Sequence, residues 1–160
     1  MSLIPNFLSS LRILFILPII YSIQSELYLL AAILFFISSS TDFFDGYLAR
    51  RYAVESELGA FLDLIADKIL VISILIWLVF VYSNQALTII SILIVLREII
   101  ITSFRYYLIL NNADIELIKA NKYGKLKTAF QFFSIFLLIL NPLLNDFYFI
   151  ISLTLLLITH

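Results

Sequence analysis

Six long apolar runs divide this chain, and they constrain its fold more than any other feature. Hydrophobic residues make up 63% of the chain and charged residues 13%, whereas an ordinary soluble domain has about 25% charged residues. A hydrocarbon core about 30 Å thick takes about 20 apolar residues of helix per crossing. The sequence therefore predicts an all-α integral membrane protein with six transmembrane helices in a single domain, residues 1–160. The first run ends at residue 21, and the others cover residues 27–40, 58–82, 86–110, 129–140 and 147–159.

The first run is predicted to be a retained helix rather than a cleaved secretion signal. In a signal the basic residue precedes the apolar region and small residues mark the cleavage site. Here Arg12 lies inside the run, and the residues after Tyr21 are poorly shaped for cleavage. Pro5 suits the first turn of a helix. One interpretation of Arg12 is an interfacial anchor whose stem lies along apolar surface.

Lysine and arginine are concentrated in two of the connections, and this bias predicts the orientation. Two arginines follow the second run, four lysines follow the fourth, and the connections after the first, third and fifth runs have none. By the positive-inside rule, the basic connections face the cytoplasm. We therefore expect a multi-pass protein of the cytoplasmic (inner) membrane, with both termini on the cytoplasmic side. The residues concerned are Arg50, Arg51, Lys119, Lys122, Lys125 and Lys127.

Four aspartates stand among apolar residues where the second run ends and the third begins. The second run passes into them without a helix breaker, so its helix is expected to continue out of the bilayer through Arg50. Residues three, four and seven positions apart share one face of a helix, which predicts two stripes. If the stripes face each other, four carboxylates converge. The first stripe is Asp42, Asp45, Gly46 and Ala49, and the second is Gly59, Asp63 and Asp67.

Such a group of carboxylates indicates a site for divalent cations. Four neighbouring aspartates in a partly apolar setting cannot all stay ionised without help. The chain has no cysteine, which excludes disulfides, thiolate catalysis and thiolate metal sites. Ligation by oxygen alone suits Mg²⁺, Mn²⁺ or Ca²⁺. Two ions bridged by carboxylates form the arrangement that clamps phosphoryl groups.

Basic residues on the same side indicate a substrate that carries phosphate. Charges inside an apolar run are costly unless they face the protein interior or a wet cavity, which makes Arg97, Glu98 and Arg105 functional candidates. The alternative is that Arg97 pairs with Glu98 or an aspartate and only holds helices together. Arginine binds phosphate oxygens in bidentate fashion and lysine as a point charge. Further cations expected on this side are Arg50, Lys125 and Lys127.

The spacing Asp-x2-Asp-Gly-x2-Ala-Arg-x8-Gly-x3-Asp-x3-Asp, residues 42–67, resembles the signature of the CDP-alcohol phosphatidyltransferase family at every defined position. Three flanking motifs resemble the bacterial branch that makes phosphatidylglycerophosphate. Two positions depart from that branch, because Leu64 stands where proline is usual and Ser9 where threonine is usual. The flanking motifs are Pro5-Asn6-x-Leu8-Ser9-x-x-Arg12, Arg97-Glu98-Ile99 with Arg105, and Gly124-Lys125-x-Lys127-Thr128-x-x-Gln131.

The resemblance covers nearly the whole chain and implies a six-helix membrane enzyme, usually a homodimer. Such an enzyme transfers the phosphatidyl group of CDP-diacylglycerol to sn-glycerol 3-phosphate and releases CMP. The resemblance also implies two bound ions, Mg²⁺ or Mn²⁺, and makes Asp67 the base that takes the acceptor's hydroxyl proton. Expected partners are the two substrates, membrane lipids and a second copy of the chain, with no nucleic acid.

Carried over position by position, the resemblance divides the candidate residues into three groups. The metal ligands are Asp42, Asp45, Asp63 and Asp67. The positions for CDP-diacylglycerol are Gly46, Ala49, Arg50 and Gly59, flanked by Asn6 and Arg12. The positions for the acceptor phosphate are Arg97, Arg105, Lys125 and Lys127.

Three alternatives stay open on the sequence. A family member with another acceptor, such as a cardiolipin synthase or a serine or inositol phosphate transferase, would share the whole aspartate stretch. A membrane prenyltransferase also holds Mg²⁺ and a diphosphate on aspartate-rich helices, but normally has two separated aspartate motifs and more helices. A divalent-cation transporter would explain the carboxylates but not the adjacent Gly46, Ala49 and Arg50.

Overall fold

The computed structural model describes residues 3–52, 57–110, 122–144 and 146–159, and these ranges contain helices and no strands. This confirms the prediction of an all-α chain for the part described. Each apolar run lies in one helix except for Leu27, which precedes the second helix, and a short 3₁₀ turn, Asn141–Leu143, follows the fifth helix. The helices are α1 Leu3–Gln24, α2 Tyr28–Tyr52, α3 Glu57–Tyr82, α4 Gln85–Leu110, α5 Lys122–Leu140 and α6 Asp146–Thr159.

Helix α3 lies at the centre of the packing. It contacts α1, α2, α4 and α5, while α6 packs against α4 and α5. Its inward stripe follows the helical repeat, since Leu70, Ile74 and Leu78 are four residues apart and almost fully buried. Ala31 and Ala32 on α2 are also fully buried, and α2 packs closely against α1. The three helices α1, α2 and α3 therefore share one apolar core.

The connection from α3 to α4 is as tight as the sequence predicts. Ser83 has a φ of 47°, in the left-handed region that allows a sharp turn. Asn84 then caps α4, because its Oδ1 accepts a hydrogen bond from the Leu87 N–H at 3.1 Å. A turn this short makes α3 and α4 an antiparallel pair, so the start of α3 and the end of α4 lie at the same end of the molecule.

Helix α5 begins earlier than predicted. The polar residues 111–127 predict a connection, but α5 begins at Lys122, and residues 111–121 lie outside the described part. Lysine and leucine are good helix formers, and a single glycine such as Gly124 costs only about 1 kcal/mol in a helix. The polar residues 122–128 are therefore part of the helix rather than of the connection before it. Lys125 and Lys127 lie on a helix rather than in a connection.

A hydrogen bond joins the C-terminal ends of α3 and α5. The Tyr82 hydroxyl donates to the carbonyl oxygen of Leu138 at 2.7 Å. Four residues after Leu138 stands Pro142, which has no N–H to donate to that carbonyl in the helical pattern. Tyr82 thus supplies a donor where the helix cannot, and its ring also packs on Phe149 with centroids 5.3 Å apart.

Replacing Tyr82 by Phe is expected to lower the free energy of unfolding by about 1 kcal/mol, the usual net contribution of one buried hydrogen bond. The ring and its contact with Phe149 would remain. Denaturation of the purified protein in detergent measures the effect. Tyr148→Phe removes the same atom from an exposed side chain and is expected to change little. Equal losses in both variants would refute a specific role for the Tyr82 hydroxyl.

Large apolar side chains also cover much of the outer surface. On α4, for example, Ile89, Ile92 and Leu96 are exposed. Within the described residues, two helical segments are long and apolar enough to cross a membrane, judged by length and composition, namely Gln85–Phe104 and Leu126–Leu143. Shorter apolar helical segments lie at Arg12–Gln24, Tyr28–Ser40, Lys68–Tyr82 and Asp146–Thr159.

Candidate functional site

The first aspartate stripe lies on the C-terminal part of α2. This helix runs unbroken from Tyr28 to Tyr52, so the apolar run and the motif form one helix, as predicted. The hydroxyls of Ser39 and Ser40 just before the motif donate to carbonyl oxygens one turn back, at 2.7 and 2.8 Å. These polar groups are thereby satisfied within the helix. The backbone of α2 places Asp42, Asp45, Gly46, Ala49 and Arg50 in its last turns.

The second stripe lies on the N-terminal part of α3. Because α3 begins at Glu57, Gly59, Asp63 and Asp67 are helical and four residues apart, which places them on one face. Helices α2 and α3 contact each other. The structure describes the helical backbone of both stripes, and their side chains lie outside the described part. Their convergence on metal ions stays a prediction.

Among the side chains that the structure describes, no three histidine, aspartate or glutamate residues lie together as a metal site. The four predicted ligands are not members of that set. The oxygen donors and the helical spacing of those four aspartates, on two helices in contact, predict a site for divalent cations.

Arg12 is completely buried, which contradicts its interpretation as an interfacial anchor. Its side chain is 0% exposed, and α1 packs against α2 and α3, the two helices that carry the aspartates. A charged side chain is stable inside a protein when it is paired and hydrogen-bonded. Arg12 therefore belongs to the interior of the bundle. Asn6 lies on the same helix, and its side chain lies outside the described part.

A buried carboxylate joins α3 to α4. Glu98 is 4% exposed, and its Oε2 forms an ion pair with Nζ of Lys68. Its Oε1 accepts a hydrogen bond from Nη1 of Arg97 at 3.3 Å. The two cations remain partly accessible, with side chains 24% and 17% exposed for Lys68 and Arg97. We call these three residues the Glu98 cluster.

The Glu98 cluster confirms one prediction and adds a residue that sequence reasoning missed. The pairing of Arg97 with Glu98 is present, as the alternative interpretation of these charges predicted. Lys68 was not predicted. The sequence feature that could have identified Lys68 is its position directly after Asp67, at the start of an otherwise apolar stretch. A lysine there needs a partner, and Glu98 is the carboxylate inside an apolar run that provides one.

The remaining acceptor candidates lie on α4 and α5. Arg105 lies two turns after Glu98 on the same face of α4, and its side chain and that of Lys125 lie outside the described part. Lys127 is exposed. Helix α5 contacts both α2 and α3, and Phe35 packs on Phe132 with ring centroids 5.9 Å apart. The helix that carries these lysines is thus packed directly against both aspartate helices.

Comparison with known proteins places the chain in a family. A family model described as CDP-alcohol phosphatidyltransferase matches residues 2–159. A CDP-diacylglycerol–glycerol-3-phosphate 3-phosphatidyltransferase of Wigglesworthia glossinidia brevipalpis is 36% identical over 142 residues, which cover 85% of this chain and 76% of the relative. Proteins of the same name from Rickettsia typhi and Pseudomonas fluorescens are 37% and 33% identical, covering 86% and 87% of this chain and 76% and 73% of theirs. On a match that spans nearly all of its residues, this chain belongs to the CDP-alcohol phosphatidyltransferase family.

Proposed function

We propose that this protein transfers the phosphatidyl group of CDP-diacylglycerol to the hydroxyl of sn-glycerol 3-phosphate, giving phosphatidylglycerophosphate and CMP. The family's aspartate spacing carries this proposal, because it lies intact on two helices in contact. The relatives described above bear the name of this activity and cover most of the chain. The buried Glu98 with its two cations adds support, since a phosphate acceptor needs positive charge near the reacting groups.

The chain is further proposed to cross the cytoplasmic membrane six times as a single domain, residues 1–160. The exposed apolar faces of its helices and the apolar segments in all six support this topology. The hydrogen bond from Tyr82 to Leu138 joins the C-terminal ends of α3 and α5. Their N-terminal ends, with the basic and acidic residues, then face one side, which the positive-inside rule assigns to the cytoplasm. Two copies are proposed to form a homodimer in this membrane.

Two divalent cations, Mg²⁺ or Mn²⁺, are proposed to bind between α2 and α3. Asp42 and Asp45 would hold them from one helix, and Asp63 and Asp67 from the other. All four donors are oxygen atoms, which these ions prefer. When bound, the ions supply charge neutralisation of the diphosphate and of the departing CMP.

The chain's own residues bind and orient the two substrates in this proposal. Gly46, Ala49 and Gly59 leave space for the nucleotide, and Arg50 binds the diphosphate through its guanidinium. Asn6 and Arg12 flank this pocket from α1. Arg12 suits that role because it is buried inside the bundle, on a helix that contacts the two helices carrying the proposed nucleotide-binding residues.

The reaction is a single displacement at the phosphorus on the diacylglycerol side. Asp67 accepts the proton of the acceptor hydroxyl while that oxygen forms its bond to phosphorus. The bond from phosphorus to the bridging oxygen of CMP breaks, and CMP leaves with the bonding electrons. Positioning and charge stabilisation account for most of the acceleration in phosphoryl transfer, so no covalent enzyme intermediate is needed.

Release of CMP by the purified protein in detergent tests the proposal. CDP-diacylglycerol and Mg²⁺ or Mn²⁺ are supplied with glycerol 3-phosphate, inositol phosphate, serine or phosphatidylglycerol in separate reactions. We expect release that depends on glycerol 3-phosphate. Release with another acceptor would keep the proposed nucleotide site and refute the acceptor. No release with any of them from folded protein would favour a prenyltransferase or, if metal ions cross liposome membranes without nucleotide, a transporter.

A further inference from the structure

The Glu98 cluster joins α3 to α4 through one carboxylate and two cations. Its carboxylate is buried, whereas its two cations are partly exposed. We infer that Glu98 is a positioning residue, which holds Lys68 and Arg97 together as a two-cation clamp for the phosphate of the acceptor. Lys68 is then a further binding residue for that phosphate. This inference rests on the proposed function and concerns the same site.

The position of the cluster along the helices supports the inference. Lys68 directly follows Asp67, so their Cα atoms are about 3.8 Å apart. Lys68 and Glu98 lie at similar distances from the turn at Ser83 and Asn84, on the two arms of the antiparallel pair α3 and α4. The cluster therefore lies at the same level along the axis of α3 as Asp67, the proposed base. It lies about 100° around that axis from the aspartate stripe. An acceptor phosphate held there would leave its hydroxyl close to Asp67.

The charges of the cluster favour an anionic ligand. Each oxygen of the Glu98 carboxylate binds one cation, Oε2 with Lys68 and Oε1 with Arg97. One carboxylate with two cations carries a net positive charge, and a guanidinium and an ammonium together have more N–H donors than one carboxylate accepts. A phosphate monoester offers negative charge and acceptor oxygens that complement these two cations.

A purely structural ion pair would not need this composition. One lysine is enough to neutralise one buried glutamate, and a second cation inside an apolar helix is costly unless it has a function or a further partner. The carboxylate is the most buried of the three groups, and both cations are partly exposed. This arrangement fits a carboxylate that holds two phosphate-binding groups in place.

The test compares Glu98→Gln, Lys68→Met and the double variant with the unmodified protein. The single variants are expected to raise KM for glycerol 3-phosphate by about tenfold to a hundredfold, as expected for lost charge-assisted hydrogen bonds. KM for CDP-diacylglycerol is expected to change far less. Lys68→Arg keeps the charge and is expected to restore much of the lost affinity.

The double variant separates positioning from simple helix packing. It removes Lys68 and Glu98 charges together, so no single charge of the pair is left buried without the other. If the pair only holds α3 to α4, the double variant recovers the normal KM for glycerol 3-phosphate. If the cluster binds the acceptor, that KM stays raised. The control is Tyr82→Phe, about 21 Å away along α3, which is expected to lower stability and leave both KM values unchanged.

A direct binding measurement separates this inference from the proposed function. Thermal unfolding of the protein is followed with and without glycerol 3-phosphate, and we expect stabilisation that the double variant loses. Stabilisation lost in that variant, without any CMP release by the unmodified protein, would support the clamp and overturn the proposed reaction. Normal CMP release with an unchanged KM in the double variant would overturn the clamp and leave the reaction standing. Absence of stabilisation together with equal changes in both KM values would also overturn the clamp.

Discussion

Replacing Asp67 by Asn is expected to lower the turnover of CMP release by about 10²- to 10⁴-fold, the range that general acid–base catalysis contributes. Asparagine keeps the size of the side chain but does not accept the acceptor's proton at neutral pH. It also removes one negative charge from the proposed metal site. The other three aspartates and Arg50 remain, so KM for CDP-diacylglycerol is expected to change much less than kcat. Initial rates over a range of both substrates measure the two constants.

The matched control for this variant is Asp146→Asn. Asp146 is an exposed residue in the first turn of α6, so the same atoms change outside the proposed site. Loss of a negative charge there is expected to cost at most about 1 kcal/mol through the helix dipole, with normal turnover. Unchanged turnover in Asp67→Asn would remove Asp67 as the base. Equal losses in both variants would indicate damage to the fold.

Removal of divalent cations with EDTA is expected to lower CMP release by about 10²-fold or more, because metal ions contribute several kcal/mol of charge stabilisation in such reactions. Mg²⁺ or Mn²⁺ is expected to restore the rate. Zn²⁺ is expected to restore it poorly, since zinc sites are usually built with nitrogen or sulfur ligands and this chain has no cysteine and one histidine, at residue 160.

The control for the chelation experiment is the thermal unfolding of the protein with and without EDTA. A fold that persists in EDTA would show that lost activity reflects lost ions at the site rather than denaturation. Full activity in protein shown by elemental analysis to be free of metal would refute the metal-dependent mechanism. Rates restored by Mg²⁺ in the unmodified protein, but not in Asp42→Asn, would identify α2 as one side of the binding site.

Much of the local structure could be predicted because it depends on nearby residues. Apolar runs of helical length predict where the helices lie, and the uninterrupted passage into the aspartates predicts that α2 continues through the motif. The turn at Ser83 and Asn84 follows from the local polar residues. The start of α5 at Lys122 differs from the prediction, because polar residues do not by themselves end a helix and these residues are compatible with one.

The candidate site also has features that the sequence predicts and features that it does not. The two stripes of small and acidic residues follow from the helical repeat. Their spacing resembles the signature of the family, and the family-model match confirms that resemblance. The roles of the individual aspartates, Arg105 and Lys125 stay predictions, since their side chains lie outside the described part. The role of Lys68 depends on Glu98, a partner 30 positions away in the chain, and its position after Asp67 does not identify that partner.

The helices, the placement of the aspartates on two helical faces and the membership of the CDP-alcohol phosphatidyltransferase family follow from the amino-acid sequence alone. The burial of Arg12, and the contact of Glu98 with Lys68 on another helix as well as with its neighbour Arg97, are visible only in the folded bundle. Helical periodicity is a property of residues a few positions apart. The partner of a buried charge depends instead on which helices pack together and at what height, and residues distant in the chain set both.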